Sequence, residues 1–277
     1  MKMMLMSSCI LLLVLSYYVS SYQLLMSLDG KTQFLRDKDQ SVYINTILRR
    51  SVEATKEALK DNENRLLEIE FVPNRKNDLS VTETLDTTRD FALQYVNAIG
   101  KQYGSDLWVL FPDSKELQLA RKVWGDNTFF TMTSIEGAIK AREKEPKLLV
   151  ALSPGFNVEE WIELAKWNLE KAPLIVINGN LDRLRQGYYP SFFYPGLARV
   201  TNSFYTKAIQ VFFLQPVSIV GDRFGGFTAR CYPGQWETLI KSATNYEVIK
   251  SSSTQTSAKT VFEILSKAYK EKYNKLF

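Results

Sequence analysis

Apolar and polar positions alternate along this chain with two different periods, and the switches between them lay out its elements. Over residues 41–62 the apolar side chains Ile44, Ile47, Leu48, Val52, Ala58 and Leu59 recur three and four apart with charges between them. This spacing predicts an amphipathic helix. Residues 66–72 instead alternate Leu67, Ile69 and Phe71 with Glu68 and Glu70, and stop at Pro73. That pattern predicts a half-buried strand near a sheet edge. Ser80 followed by Glu83 forms a capping box for a second helix. Its inner face is Leu85, Thr88, Ala92, Tyr95, Val96 and Ile99, and its stop is Gly100 or Gly104.

Residues 107–111, 148–152 and 173–177 carry no alternation; each is a continuous apolar run of strand length. Strands apolar on both faces belong to parallel sheets with helices covering each side. Pro112-Asp113 ends the first run, and Asp113 with Glu116 makes a second capping box, for a helix over 115–124. After the second run Ser153-Pro154-Gly155 turns the chain. Asn157 then caps a helix with Glu160 at its third position and Trp161, Ile162, Ala165 and Leu169 inward. The third run leads into Asn178-Gly179-Asn180-Leu181-Asp182. Between the first two, residues 129–133 predict a short strand and 136–147 a charged, exposed connection.

The predicted class is therefore α/β: a layered, Rossmann-like sheet, largely parallel with an antiparallel C-terminal portion, and helices on both faces. The loops after 111, 152 and 177 would meet at the carboxyl edge of that sheet, where open α/β sheets bind ligands. Asp113, Ser153, Asn178 and Asp182 are then the candidates for a cleft, although Asp113 also has a plain role as a helix N-cap.

Farther on, residues 187–196 crowd Tyr188, Tyr189, Phe192, Phe193 and Tyr194 among prolines and glycines. Exposed, the cluster is a surface for a partner or a membrane; folded back, it is a lid over the core, and the pattern leaves both open. A helix is expected over 197–205, then an antiparallel pair, 208–214 and 227–232, across the loop 221–226, a last strand over 246–250, and a closing helix with Val261, Ile264, Leu265, Ala268 and Tyr269 on one face. The densest stretch of special residues is Arg230-Cys231-Tyr232-Pro233-Gly234-Gln235-Trp236. Pro233 fixes its φ and Gly234 permits a positive one, which marks a tight turn. Arg230 and Tyr232 would share one face of the strand before it, Cys231 the other, and a short helix is expected over 236–241. Residues 41–277 read as one domain without repeats.

Composition narrows the chemistry. Among 277 residues histidine is absent, which removes Ser-His-Asp and Cys-His sites, His-based proton transfer and nearly all familiar zinc geometries. The two cysteines are Cys9 and Cys231, and with Cys9 in a leader no internal disulfide remains for the mature chain. Cys231 is then either a redox-sensitive thiol or an inert buried one. The formal charge is +5, and from Lys241 onward seven lysines face three glutamates, so the excess lies at the C-terminus. A basic tail is a solvated helix face or a contact with an anionic surface. No Gly-x-Gly-x-x-Gly follows the first strand, and no Walker loop or Gly-x-Ser-x-Gly elbow occurs. Nothing here indicates a catalytic set, a metal site or a cofactor, and the scattered aromatics lack the pattern of a nucleic-acid binder.

At the start, residues 3–19 are almost wholly apolar after Lys2 and are followed by Val19-Ser20-Ser21, the pattern of a secretory signal over 1–21. Its apolar run of about 17 residues also meets the lower limit for an uncleaved anchor. The Ser21-Tyr22 junction resembles the two-part leaders of algae with complex plastids, in which a transit-like segment, here 22–40, opens with an aromatic residue. A plastid is the expected address and secretion or the endomembrane system the alternative.

Several stretches taken together resemble one family. These are Leu110-Phe111-Pro112-Asp113, Leu119-Ala120-Arg121 with Trp124-Gly125, Ser153-Pro154-Gly155-Phe156, Asn178 with Leu181 and Asp182, and above all Arg230 to Gly234 with Trp236. The family is a domain of unknown function from cyanobacteria, algae and plants that includes the low-photosystem-II-accumulation protein of type three. The resemblance runs from about 41 to 249. It implies a non-catalytic plastid protein that binds a photosystem subunit, its insertion machinery or the thylakoid surface during assembly. A related domain is fused to some plastid adenylate kinases, which implies a binding module. The family offers no catalytic residue to carry over. Partner contacts are then expected from the aromatic loop and from Arg230, Cys231, Tyr232 and Trp236. The alternative is a small-molecule or nucleotide-binding enzyme with Asp113, Asn178, Asp182 and Arg230 around its ligand.

Overall fold

The structure is a computed structural model and describes residues 32–36, 39–63, 65–74, 80–141, 143–155, 157–220, 223–242 and 245–273. The leader, Cys9, the Ser21-Tyr22 junction and Gly221-Asp222 lie outside the described residues. Among the described residues the fold is mixed α/β with nine strands, mostly parallel, an antiparallel C-terminal part and helices around them. Its contacts divide into two compact units, one of residues 37–215 and one that joins the segment ending at 36 to residues 216–277.

In the larger unit, six strands run in the order β3 (Thr131–Ser134), β2 (Leu107–Phe111), β4 (Leu148–Leu152), β5 (Leu174–Ile177), β1 (Leu66–Phe71) and β6 (Ile209–Val220), all pairs parallel. Only Ile209–Gln215 of β6 belongs to this unit. The three apolar runs are β2, β4 and β5, each buried throughout. β1 departs from expectation: it is central, flanked by β5 and β6, and all six of its residues are buried, Glu68 and Glu70 included. The alternation that reads as a wet edge is here a strand with two acids inside.

Helices α1 (Gln40–Ala58) and α2 (Val81–Ile99) pack on one face of this sheet. The predicted Ser80–Glu83 capping box is formed. Tyr43 donates to the Val72 carbonyl at 2.9 Å, Thr55 and Tyr95 hydroxyls meet at 2.6 Å, and the Phe91 ring packs tilted against that of Phe71. Asp113 caps α3 (Ser114–Trp124), accepting from the backbone of Lys115 and Glu116. On the opposite face lie α4 (Ile135–Lys140), α5 (Val158–Leu164), α6 (Leu181–Arg185) and α7 (Pro195–Ser203), around a core containing Trp108, Leu149, Trp161, Leu174, Val176, Leu181 and Tyr205. α4 replaces part of the expected open connection, because Ile135 and Ala138 find a core to bury against. α5 buries Trp161 and Leu164, whereas Ile162 and Ala165 are only partly covered, since the helix is a single short element that ends at Leu164.

The smaller unit holds the antiparallel ladder β7 (Arg223–Cys231), β8 (Trp236–Lys241) and β9 (Tyr246–Ser252), covered by α8 (Ala258–Tyr273) through Ile240, Val261 and Leu265. β8 is the stretch expected to be helical. Leu239 and Ile240 are both buried and Trp236 pairs with Arg230, so ladder pairing overrides the local pattern. The N-terminal segment docks here too: Thr32 donates to Asn245 and to the Tyr246 carbonyl, and Arg36 to the Ser242 carbonyl. Among the described residues, no helix is long and apolar enough to cross a membrane.

Candidate functional site

After β1 the chain crosses to the face covered by α2, whereas after β4 and β5 it crosses to the face covered by α5 and α6. Neighbouring strands β1 and β5 therefore send their connections to opposite sides, and a crevice opens between their carboxyl ends. A cleft of about 440 Å³ lies there, within the range of small-molecule sites. Its walls come from the ends of β1, β4 and β5, from Thr84 and Leu85 of α2, and from Trp161, Arg183, Tyr189 and Gln215.

The loops that shape it hold unusual backbone. Ser153, Asn178 and Asn180 have φ of 41°, 49° and 54°, and they are all of the non-glycine residues with positive φ among those described. All three line the cleft, and such left-handed residues persist where the surroundings hold them in place. Asn178 shows how: its side-chain oxygen accepts from Phe71 N–H at 2.9 Å, its Nδ2 donates to Thr88 at 3.0 Å, and its own N–H meets the Ile69 carbonyl at 2.8 Å. The predicted ligand residue is thus a brace between β1, β5 and α2. Gly155, at φ 113°, lies against the Trp161 ring, where an added Cβ would come within 2.6 Å.

Beneath the cleft sits a buried ionic cluster. Arg185 holds both oxygens of Glu68 through Nη2, at 2.8 and 3.1 Å, and Oδ1 of Asp182 at 2.6 Å. Glu70 shares the face of Glu68 but has other partners: the Asn180 N–H at 2.8 Å and the Gln215 Nε2 at 3.1 Å. Burial pushes both glutamates up, Glu68 to about 7 against the pull of Arg185, and Glu70 to about 8 with the negative charge of Glu68 adding to the effect. A carboxyl that lines a cleft and changes charge near neutral pH can donate, accept or surrender a proton there.

Of the sequence candidates, Ser153 and Asn178 line the cleft, while Asp182 stands behind it in the arginine cluster. Asp113 is the N-cap of α3 and not part of the lining. Glu70, Gln215 and Arg183 were not among the candidates. The available signal was Leu66 and Val72 on the same strand face as Glu68 and Glu70, which makes that face apolar at both ends.

The smaller unit contains the Arg230 turn. The Tyr232–Pro233 peptide is cis, and Gly234 N–H closes on the Cys231 carbonyl at 2.8 Å, so the turn forms without the left-handed glycine expected at 234. Arg230 lies over the rings of Tyr232 and Trp236, at 5.9 and 5.7 Å, and donates Nε to the Gly234 carbonyl. Cys231 is buried on the other face. The aromatic loop is largely open: Phe192 is 88% exposed, Phe193 71% and Tyr188 67%, with Tyr194 at 39% and Tyr189 partly covered against the core. Among the described residues no cluster of three or more metal-ligating side chains occurs.

Residues 44–263 match the family described as domain of unknown function DUF1995. The chain belongs to this family. No curated protein and no solved structure matches it. The DUF1995 region takes in the whole lining of the cleft, the aromatic loop and the Arg230 turn.

Proposed function

We propose that the protein is a non-catalytic plastid factor for photosystem II assembly, of the kind typified by the low-photosystem-II-accumulation protein of type three. It works by binding a newly made photosystem subunit, the machinery that inserts it, or the thylakoid surface. The observation that carries this reading is the exposed aromatic segment, with Tyr188, Phe192 and Phe193 all turned to solvent. Large apolar side chains grouped at the surface mark interaction sites, because leaving them in water costs free energy that a partner recovers. Membership of DUF1995 supports the same reading through the resemblance noted in the sequence. The Arg230 turn, with its guanidinium stacked on two rings, is the second contact, and the basic C-terminal helix supplies an accessory attraction to anionic lipid that salt weakens.

The experiment is a gene deletion complemented with the wild-type chain or with Phe192→Ser/Phe193→Ser. Reduced photosystem II accumulation in the deletion, restored by the wild type and not by the double variant, is the expected result. Normal accumulation and turnover in the deletion strain overturns the reading.

A further inference from the structure

The cleft contains one acid, Glu70, that no ion pair among the described residues engages. Glu68 and Asp182 lie behind Glu70, and Arg185, the guanidinium among them, binds both of those two acids through Nη2. Glu70, 7% exposed, is met among the described residues by the Asn180 N–H and the Gln215 amide. These two donors are already aimed at carboxylate oxygens, so the site is arranged for a charged Glu70 that lacks its counter-ion. At the wall stands Arg183, exposed, with its guanidinium 5.5 Å from the Tyr188 ring centre and no ion pair among the described residues.

We propose that the cleft binds a small zwitterion of the amino-acid type, its ammonium group against Glu70 and its carboxylate toward Arg183. An ammonium group fits the inner end because it replaces the proton that burial otherwise forces onto Glu70, and the desolvated pair then strengthens through the two N–H donors. A bare anion does not fit there: it would face the Glu70 carboxyl, and Arg185 stands outside the lining, paired through Nη2 with Glu68 and Asp182. A bare amine leaves Arg183 as an unanswered like charge. The ring of Trp161 and that of Tyr189 complete the lining, and about 440 Å³ accommodates a side chain as well as the charged groups.

Calorimetry on the full chain with the common free L-amino acids tests this, using the N-acetyl derivative and the decarboxylated amine of each as controls. At least one amino acid binds one to one, and blocking its amino group or removing its carboxylate weakens binding by about tenfold or more. Glu70→Gln has the shape of the protonated acid and folds normally by circular dichroism, yet loses that binding to a similar extent. Arg183→Gln weakens the amino acid and does not weaken the amine. Near neutral pH binding releases a proton from Glu70, which appears as a heat that varies with the ionisation enthalpy of the buffer. The proposal is overturned if no amino acid in the panel binds, if an N-acetyl derivative or an amine binds as tightly as its parent, or if Glu70→Gln binds as the wild type does.

Discussion

Glu68 and Glu70 stand two residues apart on one face of β1, and only Glu68 is held by an arginine, at 2.8 Å from Arg185. Two acids in the same buried strand therefore have different fates. One is bonded to an arginine of the fold, and the other is left to its environment and to whatever enters the cleft.

Removing Arg185 leaves Glu68, fully buried, without its cation. Arg185→Ala is expected to lose about 3 to 5 kcal/mol of stability in urea denaturation, because breaking one side of a buried pair costs more than replacing both. Replacing both with apolar residues, in Glu68→Leu/Arg185→Leu, recovers most of that loss.

Stability depends on pH in a definite direction. Both glutamates bind a proton more tightly when folded than their ordinary value of 4.5. Between 4.5 and the folded values the native state holds protons that the unfolded chain has released, so stability is complete below about pH 4.5 and falls as pH rises toward about 8. Each group contributes a slope of up to about 1.4 kcal/mol per pH unit within its window. Urea midpoints taken across this range should decline for the wild type and decline less for Glu70→Gln; equal slopes in the two proteins would assign the effect elsewhere.

Asn178→Ala removes two side-chain hydrogen bonds and places a Cβ-bearing residue without local support at φ 49°. With about 1 kcal/mol for each bond and a similar amount for the left-handed backbone, the expected loss is about 3 kcal/mol. Asn178→Gly keeps the bond losses but relieves the backbone, so it should be less damaging by about 1 kcal/mol in the same denaturation assay.

The Phe192→Ser/Phe193→Ser double variant touches side chains 88% and 71% exposed. Its stability should change by no more than about 0.5 kcal/mol per site, since surface changes away from packed features are small. A thermal melt that drops steeply would show that the loop is packed and not presented.

The parallel sheet was legible because β2, β4 and β5 are apolar on both faces, a pattern that has few other uses in a folded chain. The caps at Ser80, Asp113 and Asn157 were legible for a similar reason, as each pairs a short polar side chain with the free N–H groups of a helix start. β1 was misplaced because alternation reports which side chains are polar, and cannot report that a distant arginine, 117 residues on, waits to receive one of them. β8 was read as a helix because six residues are too few for either period to establish itself. Asp113 and Glu70 show the limit for sites: loops can be assigned to a sheet edge from order alone, but which side chain points into the crevice depends on register and on the crossing of connections, which only the packed structure supplies.

The smaller unit joins two distant segments of the chain, with Thr32 and Arg36 clasping Ser242, Asn245 and Tyr246. A ribosome delivering this sequence therefore finishes the partner for those two residues more than two hundred positions after it has made them. The cleft-bearing portion can be complete while the ladder still awaits its last strands, and any processing that trims the N-terminus must cut ahead of Thr32 to spare that clasp.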